Sequence, residues 1–284
     1  MYRGPYTFET LPPYIKVKMI VNFFDSNINH VSSYDDSLER GRIYNGIQYS
    51  REYDPSRVSV FTDKRIGDVN NNPGLLNVAW LMEPIAYYPD PYRVLRENSE
   101  KFDLILTHNL DVIETHSNAR FIPADGIFLD TESITKKQHH KSRICSHIFS
   151  GKTHLMGHRL RHDVASLISS NGLSVDMFGQ GTGTWLDKKS DALNEYLFSI
   201  AIENSRSRGY FTEKILDCFA TRTIPIYWGD NVVWQLFDPR GAICFDEVSQ
   251  LPSILAGLSL DSYIEKQHYV EANWKHCIDN FYSI

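Results

Sequence analysis

Residues 196–230 read YLFSIAIENSRSRGYFTEKILDCFATRTIPIYWGD, and the alternation inside this stretch decides the fold. The run 196–202 is apolar, aromatic and β-branched, and has the length of a buried strand. Beyond a polar loop, Phe211, Ile215, Phe219 and Ala220 recur at helical spacing. A helix is therefore expected over 212–220, with the Thr212 hydroxyl accepting from a backbone N–H of the first turn. The apolar run 223–228 then returns as a second strand. Strand, helix and strand in succession call for a mostly parallel sheet with both faces covered.

The same alternation extends in both directions. Upstream, strands are expected at 144–150 and 173–178, with a helix at 155–169 carried by Leu160, Val164, Leu167 and Ile168. Downstream come a strand at 242–245 and a long amphipathic helix holding Tyr263, Tyr269, Trp274 and Phe281. That helix reads as a docking element, and a return onto the first half of the chain is one arrangement open to it. The first half repeats the pattern, with strands at 16–24, 57–62, 76–82, 102–107 and 119–122 and helices at 92–99 and 110–116. The polar stretch DTESITKKQHHKS at 130–142 interrupts it and reads as a linker. Two α/β domains with a cleft between them follow, over residues 1–135 and 136–284. A chain of 284 residues is long enough for both.

Composition narrows the function. Lys plus Arg number 29 against 35 Asp plus Glu, a net charge of −6, which argues against a nucleic-acid partner because phosphate attraction needs clustered positive charge. No apolar run approaches the roughly 20 residues that span a bilayer. The first 15 residues have no continuous apolar core, so a secretory leader is not expected. Cys145, Cys218, Cys244 and Cys277 stand far apart and form no CxxC pair. A reduced, soluble, cytoplasmic protein is the expectation.

The chemistry concentrates where strand 196–202 ends. Glu203, Asn204 and Ser205 close the strand, Arg206, Arg208 and Gly209 form a basic loop, and Tyr210 leads into Thr212, Glu213 and Lys214. A helix N-terminus offers unpaired N–H groups and a partial positive charge to an anion. Lys214 with Arg206 or Arg208 would add full charges, and the Glu213 carboxylate could accept both hydroxyls of a ribose. Together these suit a nucleotide-sugar site at the carboxyl edge of a parallel sheet. Set against this is an ordinary capped amphipathic helix with Glu213 and Lys214 in solvent.

The segment AIENSRSRGYFTEKILDCFATRTIPIYWG, over 201–229, resembles the donor-binding motif of the α1,3/α1,4-fucosyltransferases, glycosyltransferase family 10. The ENS triplet, the Tyr-x-Thr-Glu-Lys core and the IPIYWG strand occur in that family's order. Weaker similarity covers WLMEP at 80–84 and SVDMFGQG at 174–181. Two departures stand out: Gly209 replaces an Asp before Tyr210, and the turn 220–223 lacks a usual Gly. The resemblance implies two Rossmann-like domains of the GT-B type, with the donor held by the C-terminal one and a carbohydrate acceptor by the other. It implies inverting transfer of L-fucose from GDP-β-L-fucose, with no metal or other cofactor. On this reading Glu203, Asn204, Ser205, Tyr210, Thr212, Glu213 and Lys214 contact the donor. Arg159 or Arg161 meets the diphosphate, the choice between them staying open. Glu83, turning off a strand beside Pro84, is the candidate general base, its affinity for the proton raised by Trp80, Tyr87 and Tyr88. The absence of a membrane-spanning run is more like the bacterial or viral members than the anchored ones. A different GDP-sugar or a binding module without turnover are the neighbouring alternatives.

Two further signals compete. Gly179-Gln180-Gly181-Thr182-Gly183 after a strand, with Glu203 some twenty residues on, is a partial dinucleotide fingerprint, but Thr184 stands where its last Gly belongs. His154, His158 and His162 recur every four residues, a spacing that can chelate zinc, yet no HExxH accompanies them. Trp228 and Trp234 are expected to pack beside a core strand more than to line a sugar pocket.

Overall fold

The computed structural model describes residues 19–26, 43–44, 47–135 and 139–281. The start of the expected strand 16–24, and residues 136–138 of the expected linker, lie outside them. The chain divides into two compact units, 1–124 and 125–284.

The first unit is built on a sheet in the order β2-β3-β1-β4-β5-β6-β7, with β1 (Met19–Phe24), β2 (Ile43–Tyr44), β3 (Ile47–Ser50), β4 (Val58–Thr62), β5 (Asn77–Leu81), β6 (Leu104–Thr107) and β7 (Ala119–Phe121). Its neighbours pair in parallel except β2 with β3. β1 and β4 set Val21 against Val58 and Phe23 against Val60. Helices α1 (Pro89–Asn98) and α2 (Leu110–Thr115) follow β5 and β6. α1 begins three residues before the expected 92 because Pro89 and Pro91 suit a first helical turn, where a missing N–H costs nothing. Asn109 caps α2 by accepting from the N–H groups of Asp111 and Val112. Phe61, Ile66, Ala79, Leu81, Tyr92, Leu95 and Ile105 form the core. A fully buried aliphatic or aromatic side chain of this kind contributes about 1.5–3 kcal/mol. The sequence pattern did not anticipate β2, β3 or the 3₁₀ segment Asp63–Asn70. All three are too short or too irregular for a period to register.

The second unit carries an all-parallel sheet in the order β12-β11-β10-β8-β9: β8 (Arg143–Ile148), β9 (Asp176–Phe178), β10 (Tyr196–Ile202), β11 (Ile224–Trp228) and β12 (Ile243–Cys244). Every residue of β10 and β11 is buried, as their unbroken apolar runs require. α3 (Thr131–Thr135), α4 (Met156–Asn171), α5 (Glu213–Ala220), α6 (Leu251–Ala256) and α7 (Leu260–Phe281) complete it. The long terminal helix expected from sequence is α7; the short α6 that precedes it, before Gly257, was not anticipated. α7 packs on α5 and β10 of its own unit: the Cys277 thiol reaches the Leu216 carbonyl, and Tyr263 donates to the Arg222 carbonyl at 2.9 Å.

The stretch 130–142 is not the free linker its polarity suggested. Asp130 caps Ser133 and accepts from the Ser190 hydroxyl at 3.0 Å, and Phe128 donates its N–H to buried Asp217 at 2.8 Å. Lys141 is drawn in to donate to the Leu193 carbonyl and the Thr223 hydroxyl. Asp130, Ser133 and Lys141 thus bond within the second unit, and the division falls at Ala124, ahead of the expected 135.

Candidate donor site

In the second unit the chain leaves β8 for the edge strand β9, then crosses back to β10 on the other side of β8. The topological switch point lies between β8 and β10, and the crevice outside the carboxyl ends there is where open α/β sheets hold ligands. Glu203 and Asn204 follow β10 at that point. The N-termini of α4 and α5 converge on the same two residues.

α4 arrives by close backbone approach. The Gly157 N–H donates to the Asn204 carbonyl at 3.0 Å, and a Cβ on Gly157 would stand 1.8 Å from the Glu203 carbonyl oxygen. α5 arrives through its cap. Thr212 donates its N–H to Glu203 Oε1 at 3.0 Å and its hydroxyl to Oε2 at 2.7 Å. The same hydroxyl accepts from Lys214 N–H at 3.4 Å and from Lys214 Nζ at 2.8 Å. Glu203 is fully buried, which pushes its carboxyl up; the Lys214 ammonium at 3.6 Å opposes that.

Arg161 joins the two helices. Its Nε and Nη2 donate to the Ile202 carbonyl at 3.0 and 2.6 Å, and Nη2 donates to Asn204 Oδ1 at 2.8 Å. Burial lowers its proton affinity, while Glu203, Glu213 and Tyr210 hold the charge in place. Asn204 Nδ2 in turn donates to the buried Tyr210 hydroxyl at 3.3 Å. Arg159 does not enter this group: it is exposed and donates to the carbonyls of Thr153 and His154. Ser205 pairs with the Ser207 hydroxyl at 2.8 Å.

Glu213 and Lys214 are not in solvent, as an ordinary surface helix would have them; their side chains are 13% and 20% exposed and 3.2 Å apart. Burial works against the Glu213 charge, but the Lys214 and Lys189 ammonium groups outweigh it and hold the carboxyl well below the usual range. Lys189 was missed from sequence. It pairs with Asp217 at 2.6 Å and with Glu213, 24 residues along the chain, at 3.5 Å, so no local spacing signals it. His158 was also missed as a site residue. Its Nδ1 accepts the Leu155 N–H at 3.2 Å, and it bonds to Asn204; burial, then Arg161 and Lys152, pushes it down to about 4, leaving a neutral ring.

The competing signals resolve physically. The three imidazoles diverge: His154 precedes α4, His158 turns inward, and half-buried His162 reaches the Lys152 carbonyl. Among the described residues no group of three or more His, Cys, Asp or Glu side chains is placed to hold a metal ion. The glycine-rich turn closes on itself, Gly179 N–H to Thr184 carbonyl at 2.8 Å, with Gly181 pressed on the Phe149 ring. A 3₁₀ segment, Lys189–Ala192, follows instead of the helix that a dinucleotide fingerprint needs. Trp228 is buried beneath the Arg206 guanidinium at 4.5 Å, and Trp234 packs edge-on to Tyr227.

In the first unit, Glu83 is half-buried just beyond the carboxyl end of β5. Tyr92 donates to its carbonyl at 2.9 Å, and its own N–H donates to Asp63 Oδ1 at 3.3 Å. The expected tyrosines, Tyr87 and Tyr88, pair with each other at 4.6 Å, with Lys64 over Tyr88.

A family model described as the C-terminal region of glycosyltransferase family 10 (fucosyltransferase) matches residues 135–276. The chain is 42% identical over 55 residues to an α-(1,3)-fucosyltransferase of Helicobacter pylori, covering 19% of this chain and 12% of that one. It is 21% identical over 188 residues to an α-(1,4)-fucosyltransferase of Arabidopsis thaliana, covering 64% and 42%. The chain thus spans less than half the length of these relatives. Crystal structures of an α1,3-fucosyltransferase share the fold: one superposes with a TM-score of 0.61 at 14% identity over 96% of this chain and 93% of that one. Another, with GDP, superposes at 0.58 with 15% identity over 96% and 94%. Among the described residues no helix is long and apolar enough to cross a membrane.

Proposed function

The chain belongs to glycosyltransferase family 10, the fucosyltransferases, and from that we propose that it transfers L-fucose from GDP-β-L-fucose to a hydroxyl of a glycan acceptor, with inversion, in an α1,3-type linkage. The observation that carries the donor reading is the hydrogen-bonded group of Arg161, Asn204, Glu203, Thr212 and Lys214 at the switch point between β8 and β10. Arg161 and Lys214, with the N-terminus of α5, suit a diphosphate that gains charge as it leaves. Arg161 is preferred to Arg159 for this task because it already lies among these groups. Glu213, held as a carboxylate, suits the ribose hydroxyls. A related α1,3-fucosyltransferase has been crystallised with GDP-fucose, which favours that donor.

In the proposed reaction Glu83 takes the acceptor hydroxyl's proton as the acceptor oxygen bonds to the anomeric carbon. The carbon–oxygen bond to the diphosphate breaks, and GDP leaves with the electron pair. No metal or other cofactor takes part in this scheme; the cations and helix N-terminus carry the electrostatic work.

Thermal melting with GDP, GDP-fucose, GDP-mannose, UDP and NADH, each with and without EDTA, tests the donor side. Selective stabilisation by GDP species, indifferent to EDTA, is expected; a response to UDP or NADH alone overturns the reading. Glu83→Gln should lower transfer about 10³-fold, to a small residual rate, and leave GDP affinity within about twofold. An equal loss of GDP affinity would remove Glu83 from the role of base.

A further inference from the structure

The first unit has a switch point of its own. β1 is flanked by β3 on one side and β4 on the other, so the crevice lies at the carboxyl ends of β1 and β4. Across those ends stand Asp25 after β1, Asp63 after β4, Glu83 beyond β5 and His108 after β6. Asp63 is the least expected of them. It is 1% exposed, and its φ of +34° lies in the left-handed region that side chains other than glycine avoid. Backbone strain and a buried carboxyl both cost free energy, and they persist only where the surroundings impose them.

The contacts of Asp63 show what is obtained in exchange. Its Oδ1 accepts the N–H of Met82 at 3.0 Å and the N–H of Glu83 at 3.3 Å. From the opposite side the Tyr92 hydroxyl donates to the Glu83 carbonyl at 2.9 Å, with His108 Nε2 at 3.5 Å from that hydroxyl. Thr62, the residue before Asp63, ties down Asp25 through a 2.9 Å bond. The peptide groups on both sides of the Glu83 Cα are therefore gripped by two buried side chains from different elements, β4's end and α1. Burial pushes the Asp63 carboxyl up to about 7; the two N–H groups oppose the rise, and the Glu83 and Asp25 carboxylates add to it.

We infer that Asp63 is a positioning residue for Glu83: its carboxyl oxygen, with the Tyr92 hydroxyl opposite, sets the backbone of the turn from which the Glu83 carboxylate meets the acceptor hydroxyl. This rests on the reading of Glu83 as the base. At 1% exposure Asp63 is shielded from a bound acceptor and acts through the turn. A misplacement of about 1 Å in such a group costs roughly 10²-fold in rate.

The test is the steady-state rate of GDP release from GDP-fucose, with lactose and N-acetyllactosamine as acceptor probes, on the full chain. Asp63→Ala should lower kcat roughly 100-fold with the donor KM within about twofold. Asp63→Asn keeps an oxygen that can accept both N–H groups and should recover kcat to within about fivefold of wild type. In a Glu83→Gln background, Asp63→Ala should change the residual rate by less than about twofold, because its route to the chemistry is already cut. A full-size loss in that background, or Asp63→Asn as slow as Asp63→Ala, overturns the inference. Should Asp63→Ala fail to fold, Tyr92→Phe decides: a several-fold loss of kcat at constant donor KM supports the grip on the turn, and an unchanged kcat overturns it. Near wild-type transfer in Glu83→Gln alone would instead defeat the reading of Glu83 as base, a separate outcome.

Discussion

The chain departs from the donor motif it resembles at Gly209 and in the turn 220–223, and the backbone bears on both. Arg222 has φ +57°, the left-handed conformation that a glycine would take without cost. Its side chain offsets the strain by pairing with Glu271 at 2.8 Å and lying 3.5 Å from the Trp274 ring centroid. Gly209 has φ +91°, and its N–H donates to Asp230 at 3.0 Å, so an Asp at 209 would be strained in this loop. Arg161 is the residue whose loss should be felt most directly. Lysine keeps the charge but cannot reproduce a fork that bonds the Ile202 carbonyl and Asn204 together. Arg161→Lys should therefore weaken GDP binding about 10- to 100-fold and destabilise the fold by about 1–3 kcal/mol, read by calorimetric titration and urea unfolding.

At the scale of elements, the donor site depends on two helix starts being held against one strand end. Gly157 permits the first and Thr212 the second. Gly157→Ala puts a methyl group 1.8 Å from the Glu203 carbonyl oxygen, a backbone atom that cannot swing away. α4 must then back off from β10, carrying Arg161 and His158 with it. We expect a stability loss of about 1–3 kcal/mol together with weakened GDP affinity, measured on the same samples. Loss of stability with unaltered GDP affinity would show that the approach of α4 is only structural. Nothing in the helical period of 155–169 pointed to this role, because a single glycine in a helix start has no pattern to betray it; the close approach exists only after β10 is in place.

At the scale of the whole chain, the two units hold separate parts of the proposed chemistry, and amide hydrogen exchange can read them independently. GDP should slow exchange in the first turn of α4 and across 203–214 and leave 58–98 unchanged; protection confined to 58–98 would put the nucleotide on the other unit. Much of this organisation was legible beforehand. The apolar runs of β10 and β11, the helical spacing of Ile215 and Phe219, and the strand ends at Glu83 and Glu203 carry their meaning locally, because strand and helix periods are local properties of a chain. The order of those motifs likewise sufficed to indicate the family. What sequence left open was long-range: which of Arg159 and Arg161 turns inward, that Lys189 neutralises Glu213 and Asp217, that polar 130–142 belongs to the second unit, and that Asp63 holds the turn of Glu83. Each is a pairing between groups brought together only by sheet order and helix packing. A residue's charge and size are written in the sequence, but the partner that satisfies it once water is excluded is chosen by the tertiary fold.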